Sequence, residues 1–475
     1  MKLLVKNISD HRNFYLWASV AMVLLRLILN AFIPLMDTTE ARYAEIARLM
    51  VETGNWITPQ VDYNVPFWAK PVLSVWLSAL SIKIFGVNEF AVRFPSLLIS
   101  LLMVLIVSRF AVKRDLPHFF GAFVLITLPE FFLHMGVVST DVTLSLSVAL
   151  IMLSFWKTVN EPEKKGWKWL FFTGIGLGLL AKGPIALILT APPLIIWIIL
   201  YKEYLTVFKN FPWLRGILLI LLIALPWYYL AEKKSPGFLN YFIIGEHFKR
   251  FFDSTWKGDM YGFPKQQPPG IIWLFLVAGT LPWILKVIHK VLKNRAGLMR
   301  NRWVIFLLLW LLWTPLFFTV SESLIHTYVL PVMMPVALLV MYWWNETEKK
   351  KTLIYTSLAL PIAALLIFCA GLTGKNLQQW SNTDKYLILS QPDIQETGIY
   401  YFRKKSYSSQ FYSRGKVITL SESELADKLD RKEPVSIIIL NKHLKYLGKE
   451  QSDRLELVNS NYNRGVYRGK YPETR

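Results

Sequence analysis

Residues 14–50 read FYLWASVAMVLLRLILNAFIPLMDTTEARYAEIARLM, an apolar run from Phe14 to Leu35 that passes directly into Asp37 and a polar, helix-forming segment. The run is long enough to cross a hydrocarbon core of roughly 30 Å. It continues into DTTEARY rather than a small-residue cleavage site, so it is expected to be a retained first helix and not a cleaved signal. A second aspartate, Asp141, follows another apolar run in HMGVVSTD (134–141). An ionised group beside lipid is costly unless water, a partner or a substrate compensates it, which makes both acids functional candidates.

The rest of the chain has the same character. Of its 475 residues 54% are hydrophobic and 15% aromatic, with 19 Trp and 21 Tyr, proportions that exclude an ordinary soluble domain. Apolar runs of about 20 residues recur as far as about Ala370, and their lengths predict a polytopic α-helical membrane protein with about eleven transmembrane helices. The net charge of +21 does not point to nucleic acid, because the Lys and Arg residues lie in short loops between apolar runs, where membrane topology accounts for them. Cys369 is the only cysteine, which excludes an internal disulfide and any multi-cysteine metal site.

Loops rich in Lys and Arg face the cytoplasm. Lys2, Lys6 and Arg12 place the N-terminus inside and Asp37 outside. The segment Lys70 to Gly86 is short and carries Lys83, so it is read as an external re-entrant or interfacial segment, and Pro95 to Val112 becomes the second crossing. Five basic loops then fall inside: Lys113/Arg114, Lys157 to Lys168, Lys202 to Arg215, Lys286 to Arg302 and Lys349 to Lys351. The loops at 37–94 and 232–269 fall outside, with the Ser139 to Asp141 turn and Ser321 to Tyr328. Residues 1–370 form the transmembrane domain on this reading. From 371 to 475 the composition turns polar, with strand-like stretches at Lys416 to Leu420, Val435 to Leu440 and GVYRG (465–469). A helix is expected in SESELADKLDRK (421–432), with Ser421 or Ser423 as N-cap. These elements predict a small α/β or α+β domain, which the odd number of crossings places outside the cytoplasm as a soluble extracytoplasmic domain.

Several residues carry candidate chemistry, each beside a plainer reading. Glu40, Arg42, Glu45 and Arg48 follow Asp37 at spacings that suit a solvated interfacial helix, with Glu40 and Glu45 paired to Arg42 and Arg48. Lys70, among aromatics and proline, suits either snorkelling to headgroups or binding of a phosphate-linked lipid. Asp141 suits a helix N-cap as well as catalysis. Glu246 and His247 lie together with Lys249 and Arg250, but one His with one Glu is too few ligands for a metal site. Ser321, Glu322, His326 and Tyr328 stand at a helix junction, where a lone histidine is more often structural.

Taken together, DTTEARYAEIARLMVETGNWITPQVDYNVPFWAKPVLSVW (37–76) with its continuation to Leu98, MGVVSTD (135–141), GLGLLAKGPIAL (176–187), EHFKRF (246–251) and FTVSESLIHTYVLPVMMP (318–335) resemble the membrane glycosyltransferases of the aminoarabinose transferase and protein O-mannosyltransferase superfamily, of type C glycosyltransferase fold. The resemblance implies an inverting transfer of a sugar from a polyprenyl-phosphate carrier to a lipid A, glycolipid, glycan or protein acceptor at the outer face of the cytoplasmic membrane. It implies Asp37 as the principal catalytic acid residue and Asp141 as the second. It implies substrate contacts from Lys70, Arg250 and Tyr328; Glu40, Arg42, His247 and His326 are further substrate-binding candidates, and no cofactor is expected.

The chain departs from the pattern at three points. Ala69 stands where a Glu usually precedes the lysine, which removes a ligand partner for His247, so no bound metal is expected. Thr38 follows Asp37 where the pair is usually DE, and His326 replaces the usual lysine. A carrier-linked sugar already contains its leaving group, so the enzyme needs a lateral cavity, a cationic phosphate clamp and one base. The reading from another class is a transporter or flippase of lipid-linked sugars, which would show two repeated halves and charges at midplane. No such repeat is visible, and the candidate acids fall at one face.

Overall fold

The computed structural model describes residues 13–110, 116–249, 258, 260–261, 267–293, 295–298, 300–321, 323–373, 381–389 and 399–470. The first apolar run forms α1 (Phe14–Phe32), and DTTEARY opens α2 (Thr39–Thr53). A short hairpin, β1 (Gln60–Asp62) with β2 (Val65–Pro66), leads to α3 (Leu73–Phe85) and α4 (Glu89–Arg109). Next come α5 (Pro129–His134), α6 (Thr140–Asn160), α7 (Gly166–Lys182), α8 (Ile185–Tyr201) and α9 (Trp213–Lys234). A π-helix spans Asn240–Lys249. Then follow α10 (Ile271–Thr280), α11 (Trp283–Lys293), α12 (Arg302–Phe318) and α13 (Met333–Tyr342), the last entered through a 3-10 turn at His326–Val332, and a further apolar helical stretch at Lys350–Gly371.

Among the described residues, Phe14–Phe32, Glu89–Arg109, Thr140–Asn160, Trp213–Lys234 and Lys350–Gly371 are long and apolar enough to cross a membrane. Helices α10 and α11 add a sixth span if counted together, although they meet at 110°. Pro282 stands at that break, where it withdraws a backbone donor from any continuous helix. Four shorter apolar helices of 10–17 residues fill out the bundle, Leu73–Phe85 among them.

Arg93 on α4 fixes how the chain leaves the first helix. Its guanidinium donates to the carbonyls of Asn30 at 3.0 Å and Pro34 at 3.1 Å, and also to that of Ile33, so the orphan acceptors at the end of α1 are satisfied by a buried cation. The same group grips Glu40 on α2 with two bonds of 2.8 and 2.7 Å. This differs from the expected pairing of Glu40 with Arg42, and α2 is not a solvated helix. Most of it is buried, because the C-terminal region packs across the face that would have met water. Glu45 does pair with Arg48, at 2.7 Å, but burial pushes its carboxyl up to about 7 against the pull of that arginine. Arg42 instead donates to the Tyr261 carbonyl at 2.7 Å and lies over the rings of Tyr43, Phe67 and Tyr407.

The turn before Asp141 is anchored on α1. Arg26 and Asn30 both donate to the Met135 carbonyl. Gly136 adopts φ +95°, and a Cβ there would fall 1.8 Å from the Asn30 amide nitrogen, so only glycine fits.

The polar C-terminal region carries a five-stranded sheet in the order β4-β3-β5-β7-β6. Its strands are β3 (Ile399–Phe402), β4 (Val417–Leu420), β5 (Ser436–Leu440), β6 (Leu455–Ser460) and β7 (Arg464–Gly469). β3 pairs in parallel with β4 and β5, whereas β7 is antiparallel to β5 and β6. The helices α14 (Tyr407–Tyr412) and α15 (Glu422–Asp430) flank it, and α15 opens on a capping box in which Ser421, not Ser423, is the N-cap. Strands expected at 416–420, 435–440 and 465–469 are present within a residue of those bounds.

Asp37 joins the two regions. Its carboxylate accepts from the Ser408 backbone at 3.0 Å, from the Ser408 hydroxyl, and from Arg464 at 3.2 Å, while its backbone exchanges bonds of 2.8 and 3.0 Å with Asn382. Arg464 also holds the buried Asp384 at 2.8 Å. Replacing Arg464 with Ala strands two buried carboxylates, and loss of one partner from a buried pair costs about 3–5 kcal/mol. The Arg464→Ala protein should unfold at lower temperature in detergent and lose residues 399–470 to limited proteolysis at protease levels that leave the wild type intact. Unchanged proteolysis would show that this seam does not hold the region in place.

Candidate active site

A cavity of about 250 Å³ opens between the start of α8, the π-helix and the end of α12. Its lining combines polar side chains, Lys70, Lys182, Glu246, His247, Ser321 and Ser323, with apolar ones, Ile185, Ile188, Phe248, Phe317 and Phe318, and the amphipathic Tyr328.

Each polar group is placed by a local feature of the chain. Lys70 sits in the loop ahead of α3 and donates to Glu246 at 2.7 Å and to the Ala69 carbonyl at 2.6 Å. Tyr241 donates to the other Glu246 oxygen at 3.3 Å, one wide turn earlier on the π-helix. His247 contacts the Phe242 carbonyl through Nδ1 at 2.8 Å and the Lys182 carbonyl through Nε2 at 3.4 Å. Burial pushes the His247 imidazole below its ordinary value, and Lys70 adds to that push.

Lys182 ends α7, and Asp141 lies in the first turn of α6. The antiparallel packing of those helices brings the two together, and Lys182 donates directly to the Asp141 carboxylate. Ser139 and Thr327 donate to the other carboxylate oxygen at 3.0 Å each. The Ser139 hydroxyl also accepts from the Asp141 backbone, so the N-cap is Ser139 and the Asp141 side chain is turned toward the lysine. The Lys182 ammonium stands 4.3 Å from the centre of the Tyr328 ring. The chain thus presents a carboxylate coupled to a cation that faces the cavity, a second lysine with its own carboxylate, and an apolar flank.

The candidates from the sequence separate into three groups. Lys70, His247 and Tyr328 line the cavity, and Asp141 reaches it through Lys182. Asp37, Glu40 and Arg42 are engaged elsewhere: Asp37 with Ser408 and Arg464, Glu40 with Arg93, Arg42 with aromatic rings and the Tyr261 carbonyl. His326 pairs with Glu130 at 2.9 Å, on the segment that carries Thr327 to Asp141. Arg250 lies outside the described residues. Lys182 was not singled out, although it stands in GLGLLAKGPIAL. A lone lysine closing a helix of mean apolar character was the signal available for it.

Comparison with known proteins finds relatives in sequence and in fold. Residues 14–242 match the family model described as dolichyl-phosphate-mannose-protein mannosyltransferase. The chain is 30% identical over 336 residues to an undecaprenyl phosphate-alpha-4-amino-4-deoxy-L-arabinose arabinosyl transferase of Enterobacter sp. (strain 638), covering 67% of this chain and 57% of that protein. It is 30% identical over 340 residues to a protein of the same description from Proteus mirabilis, covering 69% and 59%. The matches therefore span a little over half the length of those relatives. Crystal structures of ArnT from Cupriavidus metallidurans share the fold, with TM-scores of 0.72 for the form bound to undecaprenyl phosphate and 0.75 for the apo form. Each covers 96% of this chain at 17% identity.

The ion pair at the cavity yields a stability prediction. Lys182→Met leaves a buried carboxylate without its cation and should destabilise the chain by about 3–5 kcal/mol. Adding Asp141→Asn should recover most of that loss, as read by thermal unfolding in detergent. Additive losses in the double variant would mean that the two groups do not compensate one another.

Proposed function

We propose that this chain, which belongs to the superfamily joining the bacterial aminoarabinose transferases to the protein O-mannosyltransferases, moves a sugar from a polyprenyl-phosphate carrier to an acceptor hydroxyl with inversion at the anomeric carbon. The observation that carries this reading is the mixed lining of the cavity: two lysines and an imidazole together with aliphatic and aromatic side chains. A lipid phosphate combines the same two characters, with a charged head and a hydrocarbon tail that stays in the bilayer. The descriptions of the relatives name an undecaprenyl-linked aminopentose, so that donor is the first to try, with the lipid A type acceptor that the resemblance implies.

In the proposed reaction the acceptor oxygen attacks the anomeric carbon, the bond from that carbon to the phosphate oxygen breaks, and the polyprenyl phosphate departs with the bonding electrons. Lys70 and Lys182 stabilise the charge that grows on the phosphate. Arg250 is the further phosphate contact that the resemblance implies. The acceptor proton passes to a carboxylate. Asp141 is favoured for that step by its bond to the cavity lysine, and a carboxylate serves when proton transfer accompanies bond formation. Asp37, the other candidate, acts from the seam with the C-terminal region. About eleven crossings, with the cavity and residues 371–475 on the outer face, complete the proposal.

The test supplies polyprenyl-phosphate sugars and acceptors to purified protein. Asp141→Asn should lower transfer by about 10²–10⁴-fold, the range for loss of a general base. Wild-type rates in that variant would remove Asp141 from the role, and wild-type rates in Asp37→Asn would confine Asp37 to anchoring. The orientation is checked in a cysteine-free background. Asn64→Cys and Ser423→Cys should react with an impermeant thiol reagent from outside, and Lys164→Cys only after the membrane is opened. Labelling of Lys164→Cys in intact cells would reverse the topology.

A further inference from the structure

Glu130 and His134 stand one turn apart on α5, and His326 opens the 3-10 turn that follows α12. The fold brings them together across 196 positions of sequence. One ligand atom from each lies within 4.8 Å of the other two. Glu130 Oε1 is 2.9 Å from His326 Nδ1 and 3.2 Å from His134 Nδ1, and the two imidazole centres are 5.2 Å apart. The His134 ring is oriented by its own backbone neighbour, with Nδ1 2.9 Å from the Glu130 carbonyl.

The surroundings confine the cluster from one side and open it on the other. Glu130 and His134 are buried, whereas the His326 side chain is 55% exposed and offers a route for exchange. Helix α10 closes tightly over Glu130. A Cβ at Gly279 would stand 2.9 Å from the Glu130 Cβ, and Phe275 packs edge-on against His326. Among the described residues the ion-pair partners of Glu130 are these two histidines, with no lysine or arginine. A buried carboxylate facing two imidazoles, with no fixed cation among the described residues, has the charge and the donor set that a divalent ion completes.

We propose that Glu130, His134 and His326 form a site for a divalent transition metal of the zinc class. Two imidazole nitrogens and one carboxylate oxygen are the protein ligands of a tetrahedral zinc ion with its fourth position open, and a nitrogen-containing set selects against magnesium and calcium. The site is separate from the cavity, but His326 is continuous with Thr327, which donates to Asp141, and with Tyr328, which covers Lys182. A bound ion pins the start of that segment and so positions two groups at the candidate active site.

The experiment uses the full chain in detergent, stripped with a chelator and then titrated with Zn²⁺ alone in competition with a chromogenic chelator, and separately with Co²⁺. The wild type should take up one Zn²⁺ per chain and give the visible absorption of tetrahedral Co²⁺. His326→Ala, at an exposed position where folding is preserved, and the isosteric Glu130→Gln should each weaken Zn²⁺ by about 100-fold or more, beyond the 10–100-fold typical of outer-sphere partners. The exposed His289→Ala should bind as the wild type does. Thermal unfolding of the stripped proteins confirms folding, and Zn²⁺ should raise the midpoint of the wild type but not of His326→Ala. A wild type that binds no Zn²⁺, or a His326→Ala protein that binds it equally well, would overturn the proposal. Both results are read without substrate, so they are independent of the transfer reaction.

Discussion

A charge held inside an apolar bundle must find its opposite within the protein, and this chain is organised around a few such pairs. Arg93 and Glu40 join α4 to α2 while the same guanidinium closes the carbonyl end of α1. Lys182 and Asp141 join the end of α7 to the start of α6. Neither pair is strong support for stability taken alone, because desolvation offsets much of the attraction. What each pair supplies is registry. The helices are greasy cylinders that could slide or rotate against one another at small cost, and a buried ion pair allows one arrangement.

The registry has a chemical consequence. With α6 and α7 locked at Asp141 and Lys182, the ammonium faces a cavity whose other cation, Lys70, is held by Glu246 from the π-helix. Both lysines are thus partly neutralised in place. That arrangement keeps the cavity tolerable without substrate and still leaves two ammonium groups to meet an anionic headgroup. The apolar side chains that α8 and α12 contribute to the cavity give the hydrocarbon portion of such a molecule a surface to lie on.

The C-terminal sheet is joined to the membrane part through polar chemistry of the same kind. Ser408, Arg464 and Asn382 converge on Asp37, the residue that most invited a catalytic reading from its position at the end of the first apolar run. An acid at a helix exit can meet water, substrate or another part of the protein. Its neighbours in sequence do not distinguish among these.

Periodicity and composition determined a great deal without coordinates. The apolar runs had to become helices, since backbone groups in a lipid environment are satisfied within one segment. Alternation and turn residues placed strands at 416–420, 435–440 and 465–469, within a residue of those observed, and a helix capped by Ser421 or Ser423, of which the structure uses Ser421, because those signals act between near neighbours. Lys70, His247, Tyr328 and Asp141 were legible as candidates for the same reason, each a polar group at the edge of an apolar run. The partners were not legible. Arg93 for Glu40, Lys182 for Asp141, Arg464 for Asp37 and Glu130 for His326 are separated by 53, 41, 427 and 196 positions. Which charge meets which is settled by helix packing, and a pairing over such distances leaves no local trace, since its energy exists only once the chain has folded.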